Sequence, residues 1–203
     1  MLIFSRVFYY FLNSCKGKHF LGFRETGYKK ALLNEISHLS AISGSNFVTK
    51  SENRDIMETE NLIAKAEITI NASIEKVWDA LVNPQKIKQY MFGADVNSDF
   101  TEGSKIVFKG EWKGKPFEEK GEILQLKPKR LLQYTSFSAQ SGKPDTKENY
   151  HTITIELSGK GKQIEVSLSQ DNNESEQFVE QSEKNWKMML EKMKEVVEKE
   201  EKR

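Results

Sequence analysis

From residue 104 to residue 170 apolar side chains recur at every second position, and from 174 to 200 they recur at every third or fourth. A chain with that switch must set half-buried strands against one long amphipathic helix, because neither apolar surface is tolerable in water alone. The strand segments are short and separated by turn residues. Residues 104–112 put Ile106, Phe108, Gly110 and Trp112 on one face. In 117–127, Glu122, Leu124 and Leu126 alternate with Ile123 and Gln125. Residues 130–138 carry apolar side chains on both faces, which leaves the inward side of that strand open. A long polar loop over 139–148 precedes a hairpin, 150–158 and 162–170, in which His151, Ile153, Ile155 and Leu157 pair with Ile164, Val166 and Leu168. The helix stripe reads Trp186, Met189, Leu190, Met193, Val196 and Val197. Continued backwards it becomes polar, through Asn185 and Ser182 to Phe178. Beyond Val197 the chain is nearly all charge, and a frayed, solvated end is expected.

Upstream, Ala64, Ala66, Ile68 and Ile70 alternate within 62–70 and predict a first strand. Ser73 is a good N-cap for a short helix whose apolar stripe is Ile74, Val77, Trp78, Leu81 and Val82. Asn83-Pro84 ends that helix and opens a second, with Ile87, Tyr90 and Met91 on its apolar side and Gly93 at its close. Residues 94–98 are a weak edge strand. The expected class is therefore α+β: a curved antiparallel sheet of about six or seven strands around a long C-terminal helix, with two short helices after the first strand.

Charge divides the chain. Residues 1–56 hold 8 Lys/Arg and 4 Asp/Glu, whereas the remainder holds 23 and 26. The net of +1 gives no electrostatic case for nucleic acid. Residues 1–56 are expected to be a poorly structured extension or sequence upstream of a start at Met57, with 57–203 as the folded domain. In the apolar opening MLIFSRVFYYFLNS the positive charge of Arg6 lies inside the run, unlike a secretory signal. No stretch is long enough for an ordinary spanning helix. The one cysteine, Cys15, cannot close an internal disulfide, and this points to a reducing, cytoplasmic setting.

Chemistry-bearing motifs are few. No hydrolase elbow, zinc-protease helix, paired-cysteine motif or phosphate loop occurs, so no catalytic residue, cofactor or metal is assigned. Glu118, Glu119 and Glu122 read as a solvated hairpin, since charged side chains are rarely buried. His151 is the only histidine after residue 57. It reads as a pocket donor, a general base, or a strand-end histidine tied to a neighbour. The aromatic set, with small Gly110, Ser136 and Ser182 inward and Asn185 on the helix stripe, suggests an apolar cavity between sheet and helix with a few placed polar groups. Its expected lining is Tyr90, Phe92, Phe108, Trp112, Tyr134, His151, Asn185 and Met189.

The order of elements, with Val77-Trp78-Asp79-Ala80-Leu81 and Pro84 early, resembles the START-like (SRPBCC) helix-grip superfamily. Within it, the domain of activators of the 90-kDa heat-shock chaperone ATPase is the nearest likeness. Gly121, Pro128, Leu131, Leu132 and Tyr134 match that family's strand-turn-strand passage, TITIELSGKGKQIEVSLSQ resembles its last hairpin, and Trp186 with Leu190 its closing helix. The likeness spans about residues 62–198. Asn185 stands where the family often has Gly, and Tyr90 or Phe92 takes the place of an aromatic at the end of the second short helix. The separate amino-terminal domain of full-length eukaryotic activators is not recognisable in residues 1–56. The resemblance implies a START-like domain that binds a small hydrophobic ligand. It also implies two alternatives: an interaction module for a 90-kDa heat-shock-type chaperone, or a cyclase or hydrolase using His151 or Tyr134 as acid or base in the same cavity.

Overall fold

A computed structural model describes residues 61–112 and 114–202, with the side chain of Trp112 outside that set. The expected division between residues 56 and 57 also falls outside it. Among the described residues the elements run β1 (Ala64–Ile70), α1 (Ile74–Val82), α2 (Pro84–Tyr90), β2 (Asp95–Ser98), β3 (Lys105–Trp112), β4 (Lys115–Lys127), β5 (Leu131–Ser138), β6 (His151–Lys160), β7 (Gln163–Gln170) and α3 (Glu176–Glu201). The loop between β5 and β6 carries two short 3₁₀ turns, Ala139–Ser141 and Lys147–Asn149. The seven strands form one antiparallel sheet in the order β1-β7-β6-β5-β4-β3-β2. This is the α+β helix-grip layout expected from the alternation of periods.

Local chemistry sets the element ends. The Ser73 hydroxyl accepts from the Lys76 N–H at 3.4 Å and caps α1. Asn83 closes α1 through its own N–H to the Asp79 carbonyl. It then caps α2, its side-chain oxygen accepting from the Gln85 N–H at 3.0 Å, with Pro84 in the first turn. Ser175 caps α3 in the same way, accepting from the Phe178 N–H.

β4 departs from simple alternation. Phe117, Glu119 and Ile123 point inward and are buried. A register shift between Ile123 and Gln125 then inserts an extra residue, and Leu124 turns outward at 40% exposure. Just before this bulge the strands come unusually close. A Cβ on Gly121 would lie 1.6 Å from the Thr135 carbonyl oxygen, and the Glu122 N–H bonds the Thr135 hydroxyl at 2.9 Å. β5 turns Leu132, Tyr134 and Ser136 inward, which settles the face left open by its sequence. Phe137 is buried on the other side, stacked on Tyr150 with centroids 5.1 Å apart.

The end of α3 is pinned rather than frayed. Glu198 accepts from the Asn71 backbone and side-chain nitrogens at 2.8 and 2.9 Å. Glu200 pairs with Lys86. Glu201 pairs with Lys76 and Lys162 at 2.8 and 2.9 Å, and these two lysines hold its carboxyl down to about 2. The expectation of fraying failed because the countercharges lie on α1, α2 and the β6–β7 turn, distant in sequence.

Gly121→Ala is expected to lower stability by about 3 kcal/mol, since backbone must shift to admit the methyl group. Equilibrium denaturation reads this directly, and an unchanged midpoint would show that the close approach of β4 and β5 is not needed.

Candidate interior site

The inner face of the sheet and the stripe of α3 enclose the core, with α1 and α2 closing one end. Among the described residues two small interior spaces are bounded. One, of about 20 Å³, is apolar: Leu81, Ile87, Phe100, Ile106 and Met189 are among its walls. The other, of about 10 Å³, reaches Glu119, Ser136, Ile153 and Gln170. Met91, Phe108, Tyr134 and Trp186 border both, so these four side chains form a wall common to the two spaces. Each space is of the order of one water molecule. The room expected over Gly110 is taken by the Phe117 ring, whose atoms would lie 2.9 Å from an added Cβ.

Polar side chains converge on this interior. Glu119 is 2% exposed and accepts from the Ser136 hydroxyl at 3.4 Å. Gln170, at the end of β7, joins strand to helix. Its side-chain oxygen accepts from the Trp186 indole N–H at 2.8 Å, and its amide donates to Asn173 at 2.8 Å and Ser182 at 3.3 Å. Burying such groups is costly unless each finds a partner. Asn185 meets that condition by half: its oxygen accepts from Gln181 at 3.1 Å, while its amide nitrogen is sealed without a partner among the described residues. The Tyr90 hydroxyl donates to the Ala80 carbonyl at 2.9 Å. The Tyr134 hydroxyl makes no hydrogen bond among the described residues. Burial raises the pKa of both phenols, and both stay protonated across the physiological range.

His151 lies elsewhere. It borders a separate space of about 20 Å³ at the end of the sheet, together with Ser138, Lys143, Asn173, Glu174 and Phe178. Its Nδ1 is 2.8 Å from the Asp171 carbonyl oxygen. A carbonyl only accepts, so the proton of the neutral ring sits on Nδ1. Desolvation outweighs this bond and lowers the histidine's pKa.

Of the sequence-derived residues, Tyr90, Phe108, Tyr134 and Met189 meet at the apolar space. Phe108 and Tyr134 also reach the polar one. Phe92 packs half-buried against the core without bordering either space, and Asn185 is buried beside Trp186 without bordering them. The side chain of Trp112 lies outside the described residues. Sequence reasoning missed Glu119 and Gln170. For Glu119 the signal was its parity with Phe117 and Ile123, set aside because a carboxylate reads as solvated. For Gln170 it was the continuation of Ile164, Val166 and Leu168 by one more inward step. Among the described residues no cluster of three or more His, Cys, Asp or Glu side chains suits a metal ion, and no helix is long and apolar enough to cross a membrane.

The family model "Activator of Hsp90 ATPase homolog 1-like protein" matches residues 71–198. The solution structure of ChR145 from Cytophaga hutchinsonii is similar at 56% identity and a TM-score of 0.61, over 68% of this chain and 95% of that one. CalU16 from Micromonospora echinospora shares 20% identity and the fold, with a TM-score of 0.52 over 68% of this chain and 85% of that one. The Aha1 dimer from Colwellia psychrerythraea shares 19% and the fold, with a TM-score of 0.53 over 67% and 96%. The comparison with curated proteins gave no match.

The lowered pKa of His151 fixes a sign. The unfolded chain binds the proton more readily, so the stability contributed by the neutral ring is present above the ordinary histidine value of about 6.5 and is lost as pH falls through it. Thermal unfolding followed between pH 7.5 and 5.5 should show a falling midpoint, and His151→Gln should flatten that slope. An equal slope in the variant would assign it to other groups.

Proposed function

The chain belongs to the activator of Hsp90 ATPase homolog 1-like family, and from that premise we propose that it binds a small, mostly apolar molecule between the inner face of the sheet and α3. The observation that carries this reading is a shared wall: an apolar space and a polar one are both lined by Met91, Phe108, Tyr134 and Trp186. A shift of those side chains joins the spaces into one chamber with an apolar body and a polar end, the usual composition of a ligand site. Met91 is the side chain best suited to move, being unbranched and at the end of α2.

Such sites enclose about 300 Å³ or more, so binding requires the walls to open. The segment after α2 supplies the means. Phe92 and Phe100 adopt positive φ, 55° and 48°, as does Gly93 at 84°. Left-handed backbone at a non-glycine residue costs about 1 kcal/mol, and this strained stretch carries Phe100 on the wall of the apolar space. Opening there involves only the edge strand β2 and its pairing with β3, and leaves the α3 contacts of Gln170 in place. Phe108, Tyr134 and Met189 then line the bound molecule. Tyr90 and Phe92 flank the opening, whereas Asn185 and His151, also named from sequence, border neither interior space.

A second reading places function on the outside. The face of β3–β5 opposite the core bears a depression of about 700 Å³, with Lys105, Lys120 and Lys147 set among Glu118, Glu122 and Asp145 beside exposed Leu124. An alternating-charge surface of that size suits contact with another protein, and a cytoplasmic 90-kDa heat-shock-type chaperone is the partner that the family description suggests.

Native mass spectrometry of protein purified from its host should show a co-purified small-molecule adduct, and a clean apo mass across several preparations would count against the chamber. Met91→Ala should lower stability by about 2 kcal/mol or more yet increase uptake of an apolar fluorescent probe. Uptake no greater than in the native protein would remove Met91 from the shared wall. For the second reading, saturating domain should change chaperone ATPase turnover, with Leu124→Asp weakening the effect; no change at high excess would reject it.

A further inference from the structure

At the end of the sheet where β4 turns into β5 and β6 into β7, cations crowd two adjacent turns. One is Lys127-Pro128-Lys129-Arg130 and the other Gly159-Lys160-Gly161-Lys162, and every one of these residues is exposed. Because β5 and β6 are neighbours, the turns lie side by side, and the Leu157 N–H bonds the Arg130 carbonyl at 2.8 Å between them. From strand spacing and rise they stand roughly 10–15 Å apart, the span of about four or five extended residues. Part of the charge is already answered. Glu75 pairs with Lys129 at 2.7 Å and Glu201 with Lys162 at 2.9 Å. Glu102 accepts from the Leu126 N–H at 2.9 Å, and Glu156 and Glu165 lie on the strands behind the turns. Lys127, Arg130 and Lys160 have no carboxylate partner among the described residues.

The backbone gives a second, independent sign. The Arg130 N–H closes the first turn onto the Lys127 carbonyl at 3.0 Å, and Lys129 has φ 63°. Pro128 cannot take a positive φ, so this is a type II turn, whose third position favours Gly or Asn because other side chains are strained there. The β6–β7 turn meets the same demand with Gly161, at φ 64°. A lysine in that conformation keeps a cation at the tip at a cost in stability, and strained residues of this sort gather at binding and switch regions.

The setting selects the partner. Residues 57–203 hold 23 Lys/Arg against 26 Asp/Glu, so the cationic end belongs to a net-acidic body. An extended polyanion such as a bilayer surface or nucleic acid would repel that body, and neither turn has an aromatic side chain to stack on bases or enter lipid. A short acidic segment meets only the cations. Arg130 suits it, since a guanidinium fork takes both oxygens of one carboxylate.

We propose that these two turns form a docking surface for an extended segment, rich in Asp and Glu, of another protein. The surface shares no residue with the depression on β3–β5, and it stands without either reading of function given above.

Fluorescence anisotropy of the full chain with a labelled peptide of alternating Glu and Gly, against the matching Gln and Gly peptide, tests this. An exposed ion pair strengthens binding by about two- to fivefold, so several together should favour the Glu peptide by about tenfold or more at low salt, and the preference should fade as salt rises. Lys127→Gln with Arg130→Gln should remove most of it. A thermal melt confirms that this double variant is folded, and if it is not, Lys160→Gln and the ranking of the two peptides on the native protein decide. Lys129→Gly separates charge from scaffold: it should raise the melting midpoint while weakening the Glu peptide about two- to fivefold. Equal binding of the two peptides, or a Glu preference that survives the double change, overturns the surface. Lys129→Gly binding as tightly as the native protein overturns the part given to the strained lysine. Vesicles of equal parts phosphatidylcholine and phosphatidylserine, or single-stranded oligothymidine, held more tightly than the peptide through Lys127 and Arg130 would overturn the choice of partner.

Discussion

The contact between the α3 stripe and the bent sheet is the interaction on which the other features depend. Trp186, Met189, Leu190, Met193 and Val197 are buried along it, and burial of each large side chain contributes about 1.5–3 kcal/mol. The same helix also covers the free edge of β1. Glu183 accepts from the Lys65 N–H, Lys194 donates to the Thr69 carbonyl, and Glu198 takes the Asn71 N–H. An uncovered edge strand offers a row of backbone groups to any other chain, so the polar flank of α3 protects the sheet while its apolar stripe completes the core.

The two halves of α3 do different work. The C-terminal half is apolar inward and is held by charges at its end, through Lys76, Lys86 and Lys162. The N-terminal half presents Ser182 and Asn185 inward, and it is joined to the sheet through Gln170 and Asn173. Hydrophobic contact is indifferent to small rotations, whereas a side-chain network is not. The network around Gln170 therefore sets the rotation of the helix, and with it the position of Trp186 on the shared wall.

The fold was legible because it is written in period. Strands read in twos, helices in 3.6, and the caps Ser73, Asn83 and Ser175 stand where the periods change. β4 resisted that reading because its bulge reverses inside and outside halfway along, and a bulge has no sharp signature in one sequence. The site was only partly legible for a different reason. Aromatic residues announce an interior, so Phe108 and Tyr134 were visible from sequence. The side chains that give the interior its polarity are of types usually solvated, and Glu119 sits in a run of charges that reads as surface. The end of α3 was misread because its partners are distant along the chain, and periodicity carries no information about them.

The close approach at Gly121 connects the fold to the site. Strands pressed together there, followed by an extra residue at Leu124, bend β4. On the inner side of that bend lie Glu119 and, across the ladder, Ser136. A flat sheet of the same composition would meet α3 along its whole length and would have no reason to keep a carboxylate inside. The polar space at Glu119 and Gln170 meets α3 at Trp186, next to the polar half of the helix stripe, whereas the apolar space meets it at Trp186 and Met189. The polarity of α3 thus follows the bend of β4: the contrast between a pinned, apolar end and a networked, polar end is one constraint seen from the helix and from the sheet.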